Sequence, residues 1–512
     1  MAPSGYGVPP EALAAMTSTF SGRRASSAGL ARLLVLAAAV GLALRAWEAA
    51  QSSLWLDELH TLAHASQPSL GAVSESVRRD LHSPLFFWAV HLFGGWEQGA
   101  WLRALPIATS LLLLAPLVAI ARGSPGVLAA ALAAWLFATL PYQVHFDAEL
   151  RPYAWVAVLS AGAFYAAFSE RETRLARFVL FLVCAFLGLW THRVMVVTVF
   201  AIGAARLVVR TPRMLHLGWL VLAGAAAALP VLPWLVGFAG TVTEMRFDHQ
   251  DAHGGWKLRP VLVNEVLSLP ARLAVPYMGA LEGPWSPLAR AGAAVFFAAA
   301  LAIVGLWILQ RRRREATPLS PQVRGAILFA GIAFVLVTAA SIYSWDRVPL
   351  QYNALLTWTI PLVLAALCAS LRSGATRNAL ALLLAASALA LGVAQAGGRE
   401  PEDMRGAVRT AREIGQSIRD GEGLAPLYTA LLAQPDVFEN VLPYRAYGPD
   451  LGAIEPASLP RPGEPGFERP VILVRRQVPM DRDSWRPVLA GRRIEREIEI
   501  DWYLSVLVLR PE

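Results

Sequence analysis

The feature that most restricts this chain is a run of apolar segments near residues 28–50, 103–121, 124–141, 152–168, 176–191, 194–209, 216–240, 289–310, 323–343, 354–371 and 376–397. A helix rises about 1.5 Å per residue, so roughly 20 apolar residues span a hydrocarbon core about 30 Å thick. Inside lipid, a backbone can satisfy its N–H and C=O groups only as a helix or a closed barrel. Segments of this length, with scarce charges near their ends, select the helix. A soluble domain is about a quarter charged, whereas this 512-residue chain is 16% charged and 56% hydrophobic. The sequence predicts a polytopic α-helical membrane protein with about eleven spans.

The net charge of +8 could suit nucleic acid, but the arginines lie between apolar segments, as topology signals do, rather than on one face. No nucleic-acid partner is expected. Arg23, Arg24 and Arg32 place the N-terminus in the cytoplasm. Arg122, then Arg171, Arg174 and Arg177, then Arg206, Arg210 and Arg213, then Arg311 to Arg314, then Arg372 and Arg377 mark further cytoplasmic turns. These turns agree with one another only if Pro84–Trp96 does not cross. That segment is short, Ser83 can cap it and Pro84 suits its first position, so it reads as an interfacial helix on the outer surface. Residues 1–27 read as a cytoplasmic tail, and the first apolar run is too long for a signal peptide, which favours an uncleaved anchor. Cys184 and Cys368 both fall in apolar segments and supply no disulfide framework, zinc site or redox motif.

This count puts residues 28–397 in a multi-span domain with outer loops 51–102 and 241–288. From 398 the composition becomes that of a soluble domain of roughly 110 residues, large enough for a modest core. Met404, Ala407, Val408, Ala411, Ile414 and Ile418 recur at helical spacing over 402–419. Val471–Val474, Glu495–Ile500 and Tyr503–Leu509 read as strands. The same count sends every chemically interesting segment to the outer face, and that coincidence is the strongest functional clue in the sequence.

Asp57-Glu58 follows the first span; two carboxylates at a bilayer edge are costly unless they act. One can be a general base; the plainer alternative makes Asp57 a helix cap. His82, beside a helix start, could help hold a phosphate or simply flank a cap. Asp147, Glu149, Arg151 and Tyr153 precede the span beginning near Pro152. A positive helix end beside Arg151 suits a phosphodiester, with the acids toward sugar hydroxyls, although Glu149–Arg151 could be only a salt-bridged cap. His192, with Thr191 and Arg193, is more polar than a turn between spans requires, but snorkelling explains it too. Arg347 and Tyr352 offer a cation and a phenol before the tenth span. Asp248 to His253 has a metal-like look, but Gly254-Gly255 and the lack of helical pattern favour a solvated loop. No convincing metal-ligand set is visible.

On these residues the chain resembles the GT-C fold polyprenyl-phosphate-dependent glycosyltransferases. Within them it looks like the bacterial relatives of protein O-mannosyltransferases and of the lipid A aminoarabinose transferase. The resemblance rests on Trp55-Leu56-Asp57-Glu58, His82-Ser83-Pro84-Leu85-Phe86 and Glu149-Leu150-Arg151-Pro152-Tyr153, and more loosely on Thr191-His192 and Arg347 to Pro361. It implies that Asp57 is the catalytic base, with Glu58 the other candidate, and that Arg151 and Arg347 lie near a lipid phosphate. It implies a polyprenyl-phosphate sugar donor, an envelope acceptor (lipid, glycan or protein), contact with membrane lipid and no obligatory cofactor, leaving a divalent metal open. The implied location is the outer side of the bacterial cytoplasmic membrane. Two rivals are a lipid-linked sugar transporter, whose charges would sit at mid-membrane, and a non-catalytic envelope sensor or scaffold.

Overall fold

The structure, a computed structural model, describes residues 10–79, 82–95, 98–122, 126–170, 172–209, 216–234, 236, 284–345, 353–398, 403–431, 442–454, 458–476, 491–500 and 504–512. Arg347, Tyr352, the Asp248–His253 stretch and nearly all of the expected outer loop 241–288 lie outside these residues.

The chain is a helical membrane protein. Helix α1 (Pro10–Gln51) carries the first span, after which α2 (Leu56–Ala65), α3 (Leu70–Arg79) and α4 (Leu85–Leu92) form a short-helix layer. A 3-10 turn at Gly99–Arg103 leads into α5 (Ala104–Leu112) and α6 (Leu114–Ala121). Then come α7 (Val127–Thr139), α8 (Pro141–Ala148), α9 (Tyr153–Phe168), α10 (Arg174–Thr191), α11 (Met195–Val208) and α12 (Leu217–Ala228). Later helices are α13 (Ser286–Arg312), α14 (Pro321–Trp345), α15 (Ala354–Thr357), α16 (Thr359–Ala369) and α17 (Gly374–Ala396). Among the described residues seven helices are long and apolar enough to cross a membrane, eight if the bent pair α7–α8 counts as one span. Three shorter apolar helices, Tyr153–Phe168, Met195–Val208 and Ala354–Ala369, match the remaining apolar segments of the sequence.

Two local expectations need correction. The segment 124–141 reads as one span followed by a polar loop, but the helix breaks at Leu140 and resumes, bent by 55°, as α8. Pro141 has no N–H to give to the carbonyl four residues back, and extended Leu140 (φ −65°, ψ 136°) makes the corner. Every residue of α8 is buried, so His145 and Asp147 are interior rather than loop residues. The second correction concerns Ser83. It does not cap α4, whose N-cap is Pro84; its buried hydroxyl instead donates to the Leu189 carbonyl of α10. At eight residues, or about 12 Å, α4 is too short to cross.

The two ends of α10 separate two clusters of turns. At one end, the Gln322 amide donates to the Phe168 carbonyl, the Arg206 guanidinium lies over the Phe168 ring, and the Arg372 amide donates to Gln310. The turns that follow α9, α13 and α16 and the end of α11 are therefore linked to one another. The other end carries α2, α4, the 149–152 loop and the C-terminal domain. That domain has α18 (Met404–Glu422), close to the expected helix, and a sheet of order β1-β2-β4-β3. Strands β2 (Val471–Arg476), β3 (Arg492–Glu499) and β4 (Leu504–Pro511) fall near the expected ones, while β1 (Leu427–Leu431), parallel to β2, is additional. A short helix, α19 (Leu442–Tyr447), joins the domain to α2. One apolar cluster unites Leu54, Leu56, Leu59 and Leu62 with Met404, Ala407, Tyr444 and Val506.

The bend is sealed by a close approach of α17. A Cβ on Gly392 would lie 2.3 Å from the Thr139 carbonyl oxygen, a backbone atom that cannot swing away. Gly392→Val is therefore expected to destabilise the detergent-solubilised protein by about 1–3 kcal/mol, read as a lower melting temperature. Gly305→Val, where a Cβ meets nothing within 4 Å, serves as the control that leaves it unchanged. Equal melting of the two variants would contradict the packing described.

Candidate active site

The chain between α1 and α2 has no helical pairing of its own, so its shape comes from side chains elsewhere. Arg103 supplies most of it. Its guanidinium donates to the carbonyls of Ala49, Ser52 and Ser53 and to the Ser52 hydroxyl at 2.7–3.0 Å. It also grips Glu58 through Nε–Oε1 at 2.7 Å and Nη2–Oε2 at 2.5 Å. Glu58 is fully buried and takes two backbone donors as well, Leu150 N–H at 2.6 Å and Trp55 N–H at 3.1 Å. Four protein donors, two of them from an arginine, thus occupy both oxygens of this carboxylate. Glu58, one of the two acids assigned to catalysis from the sequence, ties α1, α2, the Arg103 turn and the 149–152 loop together.

Asp57 differs in every respect. It sits in the first turn of α2 with its side chain 32% exposed, and its carboxylate meets Arg151 Nη2 at 3.7 Å. It does not cap the helix either, since Trp55 is the N-cap and Glu58 accepts its N–H. Arg151 is anchored by bonds from Nη1 to the Asp57 carbonyl (3.1 Å) and the Thr61 hydroxyl (3.2 Å). This leaves a cation beside a partly solvated carboxylate at a helix N-terminus, where the dipole also favours negative charge.

Arg151 leads to the other sequence-derived residues. Its guanidinium carbon lies 5.9 Å from the centre of the Tyr153 ring. Tyr153 and His192 are 6.3 Å apart between ring centroids, and His192 and His82 are 6.4 Å apart. His192 Nδ1 accepts the Val194 N–H at 3.2 Å, which assigns a proton on Nε2 to the neutral ring. Burial, then the neighbouring Arg193, His82 and Arg151 side chains, hold this ring well below the usual histidine range. Asp57, Arg151, Tyr153, His192 and His82 thus form one group, in which Asp57 is the one partly exposed acid among the described residues.

Asp147 and Glu149 face a second network. Arg45, fully buried in α1, donates to Asp147 Oδ2 from Nε (3.1 Å) and Nη2 (2.8 Å). The same guanidinium reaches the carbonyls of Ala138 (3.0 Å) and Phe137 (3.3 Å), which lie just before the α7–α8 break. Arg45 therefore satisfies the acceptors that Pro141 leaves open, and Asp147 balances its charge. Asp147 is a support for the bend rather than a group at the site's surface. His145 bridges two acids, Nδ1 to Glu48 at 2.9 Å and Nε2 to Glu149 at 3.2 Å, and Gln395 adds an amide bond to Glu48 at 3.0 Å. Glu149 is buried, and its Oε2 has no hydrogen-bond partner among the described residues. Among the described residues, no group of three or more His, Cys, Asp or Glu side chains is arranged to hold a metal ion.

Arg103, Arg45 and Glu48 were not singled out by sequence reasoning, although each carried a signal. Arg103 is a basic residue on the face where the positive-inside pattern disfavours one, and Arg45 and Glu48 are charges at the end of an apolar segment. The roles of Glu58 and Asp57 separate in stability. Glu58→Gln leaves a buried guanidinium without its counter-charge and is expected to cost about 3–5 kcal/mol, whereas Asp57→Asn, at a partly exposed site, should change stability by about 0.5 kcal/mol or less. Thermal melts in detergent check this, and equal losses would contradict the division of roles.

No protein-family model and no curated protein matches the sequence. Solved structures do. ArnT from Cupriavidus metallidurans bound to undecaprenyl phosphate superposes with a TM-score of 0.50 at 14% identity, over 93% of this chain and 97% of ArnT. ArnT in its apo state gives the same score over 94% and 98%. The oligosaccharyltransferase of Archaeoglobus fulgidus in its apo form is more distant, with a TM-score of 0.45 over 75% of this chain and 58% of its own. At such identities the likeness speaks to architecture alone. The chain has the fold of ArnT, the GT-C membrane architecture with a small C-terminal α/β domain.

Proposed function

We propose that this protein is a membrane glycosyltransferase that moves a sugar, hexose or pentose, from a polyprenyl-phosphate donor to an acceptor on the outer face of the bacterial cytoplasmic membrane. The observation that carries the reading is the single partly exposed carboxylate of Asp57, 3.7 Å from Arg151 and next to Tyr153, His192 and His82. A reaction at an anomeric centre bearing a phosphate needs those two elements, a base for the incoming nucleophile and fixed positive charge for the leaving group. That a protein of the same fold was solved with undecaprenyl phosphate bound supports the donor class.

In this reading the isoprenoid lies along the apolar helices and its phosphate rests against Arg151 and the Nε2–H of His192. An anion there meets the positive charge of Arg151. The Glu149 Oε2, which has no hydrogen-bond partner among the described residues, is the acceptor for a sugar hydroxyl in this reading. Asp57 takes the proton from the acceptor as the acceptor's heteroatom attacks the anomeric carbon. The bond from that carbon to the phosphate oxygen breaks on the opposite face, and the electron pair leaves on the phosphate. Attack and departure from opposite sides invert the configuration, and a leaving group already neutralised by Arg151 has little need of a general acid. Glu58 takes no proton in this scheme; its part is to hold α2. Arg347 and Tyr352 remain candidates for the donor phosphate, and the acceptor is an envelope lipid, glycan or protein.

Asp57→Asn is expected to abolish transfer in membranes supplied with a polyprenyl-phosphate sugar while insertion and donor affinity persist. Turnover like that of the unaltered protein would overturn the assignment of the base. Arg151→Ala should weaken donor binding about tenfold or more, the scale of a lost charged hydrogen bond, and unchanged affinity would remove it from the phosphate site. The orientation follows from the same reading. Single cysteines at the exposed positions Phe93 and Arg312, with the buried Cys184 and Cys368 replaced by serine, should react from opposite sides of the membrane. Labelling from one side would contradict it.

A further inference from the structure

The reactive end of α2 is held by two domains, and only one of them has so far entered the chemistry. From the membrane side comes the Arg103–Glu58 clasp. From the C-terminal domain, the Tyr447 hydroxyl of α19 accepts the N–H of Leu54, three residues before Asp57. One residue earlier, the Ser53 hydroxyl accepts the N–H of Met404, the first residue of α18, at 3.1 Å. The Arg405 guanidinium lies over the Tyr447 ring at 5.6 Å, and the fields of Arg103, Glu58 and Arg405 all reach the Tyr447 hydroxyl. Residues 53–55 belong to no helix, so their amides have no partner within a repeating ladder, and the position of the first α2 turn depends on what they bond to. Both bonds from the C-terminal domain land there, and the apolar cluster that joins Leu54 and Leu56 to Leu442, Tyr444 and Met404 fills the space around them.

We propose that Tyr447 is a positioning residue for the transfer reaction: the C-terminal domain sets where the Asp57 carboxylate stands relative to Arg151. This rests on the reading of Asp57 as the base. Loss of the Tyr447 hydroxyl frees the Leu54 amide and lets the first turn of α2 shift without touching donor or acceptor, and small misplacements of a base are costly in rate. The Asp57 carboxylate, 3.7 Å from Arg151 while the turn is held, then no longer keeps that placement.

The test uses the full chain in membranes or nanodiscs and compares Tyr447→Phe with the unaltered protein and with Asp57→Asn, each normalised to the amount that binds the polyprenyl-phosphate sugar. For Tyr447→Phe, kcat should fall about tenfold to a hundredfold with KM for the donor unchanged. A wild-type kcat, or a loss of kcat matched by a rise in donor KM, would overturn the positioning role. If Tyr447→Phe does not accumulate, Ser53→Ala removes the acceptor of the second bond and must give the same signature in milder form. Full turnover by Asp57→Asn would instead sink the underlying assignment, so the two failures are distinguishable.

Discussion

The buried pair of Glu58 and Arg103 is the interaction on which the site depends. Neither residue is near the surface, and each uses its hydrogen-bonding capacity on the other and on groups from two stretches of chain, residues 49–55 and Leu150. A buried ion pair is not by itself a source of stability, because desolvating two charges costs about what their attraction returns. Its value here is geometric. With the charges paired, any displacement of the α1–α2 connection or the 149–152 loop would uncover a charge in a dry environment, so these elements are held in a single arrangement. Asp57 inherits a fixed position from the residue beside it while keeping its own carboxylate exposed.

A second buried pair does the same for the opposite wall. Arg45 and Asp147 stabilise a helix break that would otherwise leave carbonyls open to an apolar surrounding. The break turns α8 back toward α1 and brings Glu149 and Arg151 to the α2 N-terminus. Acidic residues that look alike in the sequence thus divide by burial and partner. Glu58 and Asp147 are buried, paired with arginines and support the frame, whereas Asp57 is partly exposed beside Arg151.

Much of the architecture was legible because a bilayer permits few alternatives: apolar length locates the helices, and arginine placement groups their turns. The gathering of Asp57, Arg151, Tyr153, His192 and His82 was legible for the same reason, since topology alone sends them to one end. The break at Leu140-Pro141 was not, because the sequence on either side is apolar or helix-compatible and only the proline hints at a corner. Nor was the split between Asp57 and Glu58, which depends on Arg103, a residue 45 positions away that reads as the edge of a span. Strand β1 escaped because five residues after Pro426 are too few to distinguish alternation from an apolar run. Long-range pairing, rather than local pattern, decides each of these cases.

Transfer as proposed depends on one placement, a polyprenyl phosphate against Arg151 and His192 with its sugar toward Asp57. Determining the structure of the protein with undecaprenyl phosphate bound in nanodiscs tests it most directly. Phosphate density is expected within about 4 Å of the Arg151 guanidinium, on the Tyr153–His192 side of Asp57. Phosphate density at the opposite end of α10, beside the arginines of the 169–177 and 206–209 turns, would contradict it.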